Sequence, residues 1–201
     1  TSLVTQSLYA DPKLVINPVE AAETLTAALP DLDYGDVLHK LKTDKRFVWI
    51  KRNLSPRESY VVNRLGIPGV SFQREERRVY PQGSLAAHVV GFTGVDNTGL
   101  MGIEQSFDNA LRGSTEPVNL SLDVRLQHIV RRELKTTVDE FNAIGGAGMV
   151  LDVRTGEILS MVSLPDFDPH DPVGLDENTR FNRNTLGVYE MGSTFKAFNS
   201  T

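Results

Sequence analysis

One serine and one lysine near the end of the chain have the types and the spacing for nucleophilic catalysis. Ser193 and Lys196 form the single S-x-x-K of the sequence. Gly192 lets the backbone turn into a helix, on which the two side chains would lie one turn apart on the same face. The N–H groups at a helix N-terminus favour negative charge, and a desolvated lysine can take the proton of a hydroxyl. A serine and a lysine placed in this way can act as a nucleophile and its base.

Spacing alone favours a different interpretation of the same pair. A serine in front of a helix is an ordinary N-cap, and a lysine one turn later is ordinarily solvated. The sequence around the pair favours catalysis, because three segments follow the pattern of one enzyme family.

These segments resemble the class B penicillin-binding proteins, the peptidoglycan D,D-transpeptidases, which carry an S-x-x-K serine. RFNRNTLGVYEMGSTFK, at 180–196, resembles the active-site serine motif of the family. GGAGMVLDVRTGEILSMVSLPDFDP, at 145–169, resembles the paired strands that precede the serine. RRVYPQGSLAAHVVGFTGVDNTGLMGIEQSFDNALRG, at 77–113, resembles the non-catalytic pedestal. Its GFTGVDNTGL stretch resembles the division-specific branch of the family more than the elongation branch.

The resemblance implies an α+β fold in two domains. Residues 1–115 would form a mixed pedestal domain, and residues 116–201 the N-terminal part of a serine transpeptidase/β-lactamase-like α/β-sheet domain. Ser193 would attack the D-Ala-D-Ala carbonyl of a stem peptide, Lys196 would act as general base, and the Ser193 backbone N–H would supply half of an oxyanion hole. A β-lactam would form the same acyl-serine. No cofactor and no metal are implied.

Two departures from the family pattern accompany this assignment. The chain ends five residues after Lys196, so the later S-x-N and K-[ST]-G motifs of the family are not in it. Met191 stands where many relatives have proline, a change expected to be tolerated. The chain as it stands is therefore expected to be an inactive fragment of a septal cell-wall enzyme.

The resemblance also implies partners and a location. The parent protein would be anchored by an N-terminal helix that this chain lacks, and would work on the periplasmic face of the inner membrane. Its pedestal would bind a glycan polymerase and other division proteins. Two alternatives stay open: a pedestal that acts purely as a docking module, and a serine β-lactamase or β-lactam sensor, which shares S-x-x-K.

Composition excludes several other classes. The net charge of −5 argues against general nucleic-acid binding, and the absence of cysteine excludes disulfides and thiolate metal sites. The four histidines are scattered, and Asp171 stands where a calcium loop beginning at Asp166 needs glycine.

The stretch from Lys40 to Arg78 contains 11 basic and 4 acidic residues. This stretch is predicted to be a solvated surface or a face for an acidic partner or anionic lipid.

Capping residues and apolar spacing predict the elements of the first half of the chain. Asn17 and Ser55 are predicted N-caps, each followed three residues later by glutamate. Further predicted elements are listed here: a helix at 34–42, a strand at 46–53, an extended segment at 70–81, and short helices at 84–91 and 102–111. Arg78 and Glu104 are expected to tie the pedestal to the catalytic domain. Residues 114–117 form the predicted junction, which is commonly much longer in the family.

The second half begins with a predicted strand at 118–122 and Asp123 as an N-cap. A helix then runs to Phe141 with the apolar stripe Leu126, Val130, Leu134 and Val138. Two apolar runs, at 147–153 and 157–163, predict a hairpin covered on both faces by helices. A long connection at 164–182 leads to the serine.

Overall fold

The computed structural model describes residues 1–113, 116–172 and 174–198, and its chain divides into two compact units, Thr1–Val79 and Tyr80–Thr201. Each unit combines strands with helices, which confirms the predicted α+β class. The division lies ahead of the predicted domain boundary at 115/116. That boundary stays a prediction, since residues 114 and 115 lie outside the described residues. Within the described ranges, no helix has the length and apolar character needed to cross a membrane.

The first unit is a three-stranded antiparallel sheet with the order β2-β1-β3, with helices packed against one face. Its elements are β1 (Ser2–Ala10), α1 (Pro18–Ala28), α2 (Tyr34–Leu41), β2 (Val48–Leu54), α3 (Pro56–Leu65) and β3 (Val70–Arg78), with a short 3₁₀ helix at Pro12–Leu14. The core lies between the sheet and the helices. Its fully buried side chains include Leu8, Leu25, Leu29, Val37 and Leu41.

The helices of this unit begin where their capping residues predicted. The Asn17 side chain accepts from the Glu20 N–H, and Ser55 and Glu58 form a complete capping box. Gly66 ends α3 in the left-handed region, at φ +60°. These boundaries are confirmed because each depends on contacts within one turn of chain.

The basic stretch between Lys40 and Arg78 is partly neutralised within the first unit. Ion pairs of this stretch include Lys40–Asp36, Arg46–Asp11, Lys51–Asp31, Lys51–Glu58 and Arg52–Glu75. Arg78 donates to the Ser2 hydroxyl at 2.8 Å. The predicted role of Arg78 and Glu104 in joining the two domains stays a prediction.

The face of the sheet opposite the helices carries an aromatic cluster. Tyr9 and Trp49 are cross-strand neighbours, and alternation along a strand directs them away from the core residues Ala10 and Val48. The Phe47 ring stacks on Tyr9 with centroids 4.8 Å apart and meets Trp49 edge-on at 4.8 Å. This aromatic cluster therefore consists of Tyr9, Phe47 and Trp49.

The second unit contains the antiparallel hairpin β4-β5, with helix α7 packed against it. Its helices and strands are α4 (Ala87–Val90), α5 (Gly102–Ser106), α6 (Asp108–Gly113), α7 (Val124–Glu140), β4 (Gly146–Leu151), β5 (Ile158–Leu164) and α8 (Glu177–Arg180), with 3₁₀ helices at Gly83–Ala86 and Gly192–Phe198. The apolar stripe of α7 packs closely against strand β4 because Gly146 and Gly148 of that strand have no side chain. A Cβ on Gly148 would lie 3.0 Å from Val130, and one on Gly146 would lie 3.0 Å from Leu134.

Two expectations for this unit are wrong. Residues 118–122 form no strand. This segment contacts β5 through two hydrogen bonds and not through a strand ladder. The Asp123 N–H donates to the Leu159 carbonyl, and the Ser121 hydroxyl donates to the Ile158 carbonyl. Within the part of the chain that the structure describes, strand β4 is covered on one face. Its residues alternate between half-buried and exposed, with Met149 40% and Leu151 50% exposed, because α7 covers one face.

Candidate functional site

The predicted nucleophile and base lie on one short helix, named here the serine helix (Gly192–Phe198). It is a 3₁₀ helix that begins at Gly192, whose φ of +52° lies in the left-handed region. In a 3₁₀ helix, side chains three residues apart are eclipsed. Ser193 and Lys196 therefore lie on the same face, as the sequence predicted. Their catalytic roles stay predictions.

The serine helix and its approach are open to solvent in this chain. Ser193 and Lys196 are both exposed. Apolar side chains around them are exposed too, with Val188 96%, Met191 54% and Phe195 59% accessible. A lysine that acts as a base needs desolvation. The described residues of this chain do not supply that burial.

The connection from β5 to the serine is held to the unit by charged and polar contacts. Asp166 pairs with Arg131 of α7 at 2.5 Å. His170 accepts the Tyr80 N–H at 3.0 Å through Nε2, and its Nδ1 lies 2.8 Å from the Asp168 carboxylate. The pKa of Asp168 is lowered because the His170 N–H and ring bond to its carboxylate. These contacts use the acidic residues that a calcium loop would have needed.

His88 of α4 anchors the same connection further along. It is 6% exposed, its Nε2 lies 2.9 Å from the Thr179 carbonyl oxygen, and its ring packs edge-on against Phe167. Burial lowers the pKa of this imidazole, so it is neutral near pH 7 and donates through Nε2. This histidine is structural, as expected for scattered histidines. The described residues contain no group of three or more side chains that could hold a metal ion.

Gln127 of α7 is a polar residue in the interface between helix and hairpin, and the apolar stripe did not reveal it. It is 2% exposed. Its amide nitrogen donates to the carbonyls of Met161 and Leu85, at 2.7 and 2.9 Å, and its oxygen accepts from the Met161 N–H and the Ser160 hydroxyl, at 2.9 and 3.0 Å. Every hydrogen-bonding position of the amide is used. Gln127 lies three positions before Val130 and seven before Leu134, so helical spacing places it on the face of the apolar stripe. A polar residue on that face is the signal that could have revealed it.

The chain returns along the end of β5 just before the serine segment. The Ser163 hydroxyl donates to the Phe181 carbonyl at 3.2 Å and accepts the Arg183 N–H at 3.0 Å. The Asn184 side chain donates to the Val162 carbonyl at 2.7 Å. Strand β5 therefore positions the residues that precede the serine helix.

Comparison with protein families assigns both parts of the chain. Residues 2–140 match the Penicillin-binding Protein dimerisation domain, and residues 146–201 match the Penicillin binding protein transpeptidase domain. The chain belongs to the penicillin-binding proteins. It carries the dimerisation, or pedestal, region and the start of the transpeptidase domain, as the sequence resemblance indicated.

Curated relatives of this penicillin-binding protein chain are named as transpeptidases. It is 40% identical to the probable peptidoglycan D,D-transpeptidase FtsI of Caulobacter vibrioides, over 98% of this chain and 34% of that protein. It is 35% identical to the probable peptidoglycan D,D-transpeptidase PenA of Neisseria gonorrhoeae, over 98% of this chain and 39% of that protein. It is 32% identical to FtsI of Escherichia coli K12, over 97% of this chain and 38% of that protein. The chain thus spans little more than a third of the length of these relatives.

The alignment lengths bear on the short junction at 114–117. The PenA alignment extends over 227 residues, at least 26 more than the 201 of this chain (227 − 201), so PenA carries insertions. The alignment with the Caulobacter protein extends over 200 residues and includes 98% of this chain, which leaves no room for a long insertion. A short junction is therefore a feature that this chain shares with a natural relative.

A solved structure shares the fold. The penicillin-binding protein PBP2, in its complex with MreC from Helicobacter pylori, matches 98% of this chain and 47% of its own chain with a TM-score of 0.74. Sequence identity is 19%, so the likeness concerns the fold alone.

Proposed function

We propose that the full-length protein is a serine-type peptidoglycan D,D-transpeptidase that cross-links stem peptides in septal cell-wall synthesis. The observation that carries the proposal is the S-x-x-K pair on one face of the serine helix, inside the range that matches the transpeptidase family. The names of the relatives favour a transpeptidase over a β-lactamase or a β-lactam sensor.

The proposed reaction proceeds through an acyl-serine. Lys196 takes the Ser193 hydroxyl proton as the oxygen attacks the penultimate D-Ala carbonyl. It then passes that proton to the nitrogen of the terminal D-Ala, which leaves as the C–N bond breaks. The Ser193 backbone N–H stabilises the oxyanion as one of two donors. An amine of a neighbouring stem peptide then takes the acyl group and frees the serine. A β-lactam enters at the first step and stays bound. The chemistry needs no cofactor.

Labelling of the full-length protein with fluorescent penicillin tests the proposal. We expect one covalent adduct, located on Ser193 by mass spectrometry. Ser193→Ala should abolish the adduct and change the free energy of unfolding by no more than about 1 kcal/mol, because the hydroxyl is at most a helix cap. An adduct on another residue, or none on the unaltered protein, would contradict the assignment.

The location and the partners of the full-length protein belong to the same proposal. Relatives are named for cell-wall synthesis, which supports the extracytoplasmic face of the inner membrane as the working place, with an N-terminal anchor in the parent. Stem peptides and β-lactams are the proposed ligands. Nucleic acid is not a proposed partner.

We also propose that the first unit docks the glycan polymerase of the division machinery. The aromatic cluster of Tyr9, Phe47 and Trp49 supports this, because Phe47 is 43% exposed and the Arg52 guanidinium lies 5.0 Å above the Trp49 ring. Aromatic and arginine side chains are enriched where proteins bind one another. The related PBP2 structure is itself a complex with a partner protein.

Affinity measurements between the full-length protein and the polymerase separate docking from catalysis. Trp49→Ala should weaken binding about tenfold or more, as loss of an aromatic interface residue typically does. Penicillin labelling of the same variant should stay at the parental rate. Tyr60→Ala, on the exposed side of α3, is the matched control. Parental affinity in the folded Trp49 variant would exclude the cluster as the docking surface.

A further inference from the structure

Arg183 is a buried cation in the chain segment that leads to the serine helix. It is 9% exposed. Within the part of the chain that the structure describes, its guanidinium meets neutral oxygens and no carboxylate forms an ion pair with it. Burial of a charge is costly unless hydrogen bonds or a counter-charge compensate for it. Hydrogen bonds to these neutral oxygens compensate for the burial of the guanidinium.

The guanidinium holds the end of α8. Nη1 donates to the carbonyl oxygens of Asn178, at 3.3 Å, and Phe181, at 3.5 Å, while Nη2 donates to the Asn178 side-chain oxygen. The Phe181 ring lies 5.8 Å from the guanidinium carbon. The hydrogen bonds from Nη1 and Nη2 use the planar, forked shape of the guanidinium, which a lysine ammonium cannot reproduce.

The backbone of Arg183 joins two further segments to the same point. Its N–H donates to the Ser163 hydroxyl of β5 at 3.0 Å. Its carbonyl accepts the Tyr189 hydroxyl at 3.0 Å. One residue thus connects α8, the end of β5 and a tyrosine four positions before Ser193.

Two glycines make room for this arrangement. A Cβ on Gly145 would lie 2.4 Å from Nε of Arg183, and a Cβ on Gly187 would lie 2.3 Å from the Tyr189 hydroxyl and 2.5 Å from the Arg183 carbonyl oxygen. Contacts this short do not occur in folded proteins. The packing around Arg183 is therefore specific on both sides.

The bond from Tyr189 attaches the approach to the serine to Arg183. Among the hydrogen bonds described for residues 187–194, the Tyr189 hydroxyl to Arg183 carbonyl bond alone leaves the segment, while the Thr194 N–H bonds locally to Met191. The side chains of Val188 and Met191 are largely exposed, so packing adds little. Arg183 and Tyr189 therefore contribute to the place of Ser193 relative to β5.

We propose that Arg183 is a positioning residue for acyl transfer at Ser193, acting through its guanidinium contacts with α8 and its carbonyl contact with Tyr189. The inference rests on the proposed transpeptidase function. Arg183 does not act on the substrate. Its effect is on the orientation of the serine, and small misplacements of a reacting group are costly in rate.

The test measures acylation of the full-length protein over a range of fluorescent penicillin concentrations, which separates the saturating rate from the half-saturating concentration. Arg183→Lys keeps the charge and removes the fork, and we expect its saturating rate to fall about 10- to 100-fold. Tyr189→Phe removes one hydroxyl and keeps the ring, and we expect a fall of about fivefold. The half-saturating concentration should stay unchanged in both variants.

Two matched controls and a stability measurement complete the design. Arg180→Lys alters an exposed arginine on α8, and Tyr60→Phe alters an exposed tyrosine of the first unit, so both should acylate at the parental rate. If Arg183→Lys lowers the thermal unfolding temperature sharply, Tyr189→Phe decides the question. If the folded Tyr189→Phe and Arg183→Lys proteins both acylate at the parental saturating rate, this inference is overturned and the proposed function still stands. Failure of the unaltered protein to acylate would overturn the proposed function and the inference with it.

Discussion

At the scale of single residues, Lys196 has a role that one substitution can define. Lys196→Arg should slow acylation of the full-length protein nearly as much as Lys196→Ala, by about 10²–10⁴-fold, because a guanidinium keeps its proton at any working pH and cannot act as a base. Rates of penicillin labelling measure this. An arginine variant that acylates near the parental rate would show that position 196 supplies a positive charge and not a base.

Gln127 has a structural role at the same scale. Gln127→Leu should destabilise the chain by about 3 kcal/mol, because the buried N–H of Met161 and the carbonyls of Met161 and Leu85 would lose their partner. Urea unfolding measures the loss. Gln105→Leu on α5 is the control, since that side chain is exposed. A loss below 0.5 kcal/mol, on the order of an ordinary surface change, would mean that solvent or neighbouring groups replace these bonds.

At the scale of elements, the start of α3 contributes a pH-dependent stability. Hydrogen bonds from Lys51 and then from Ser55 lower the pKa of Glu58 to about 2. Because the folded pKa lies below the unfolded value of about 4.3, the contribution is present above that pH and is lost as the pH falls toward 2. The difference in free energy of unfolding between the parent and Glu58→Gln should therefore be largest near pH 7 and shrink steadily as the pH falls from about 4 toward 2.

Chemical denaturation at several pH values measures this difference. Glu23→Gln is the control, because Glu23 is an exposed residue of α1 with no side-chain contact among those described. A gap between parent and Glu58→Gln that stays constant from pH 7 to pH 2 would show that the capping box does not depend on the charge of Glu58.

At the scale of the whole molecule, the two compact units have separate cores. The core of the first unit consists of residues between Leu8 and Val62, and the smaller one of the second unit is formed by Tyr80, Ala87, Phe92 and Phe167. Leu25→Ala, at a fully buried position of α1, should destabilise the first unit by about 2–5 kcal/mol. Hydrogen exchange should then speed up in α1, β1 and α3 and stay unchanged in α7 and β5. Equal acceleration in both units would show that they unfold together.

The candidate site shows how far sequence alone could go. The S-x-x-K pair, its glycine and its helix were predictable, because these features depend on residues within one turn of each other. The exposure of Lys196 was not, since desolvation depends on what packs over the helix. The contacts of Arg183 were missed for a related reason: they join a strand, a helix and a tyrosine.

The sequence by itself determined most of the local elements of this chain and the family to which it belongs. Caps at Asn17, Ser55 and Asp123 start their helices where predicted, because a capping side chain satisfies N–H groups two or three residues away. The tertiary structure decided what each strand face meets. The apolar run of β4 was compatible with burial on both faces, yet α7 covers one. Gln127 bonds to a residue 34 positions away, and no periodicity in a sequence specifies such a partner.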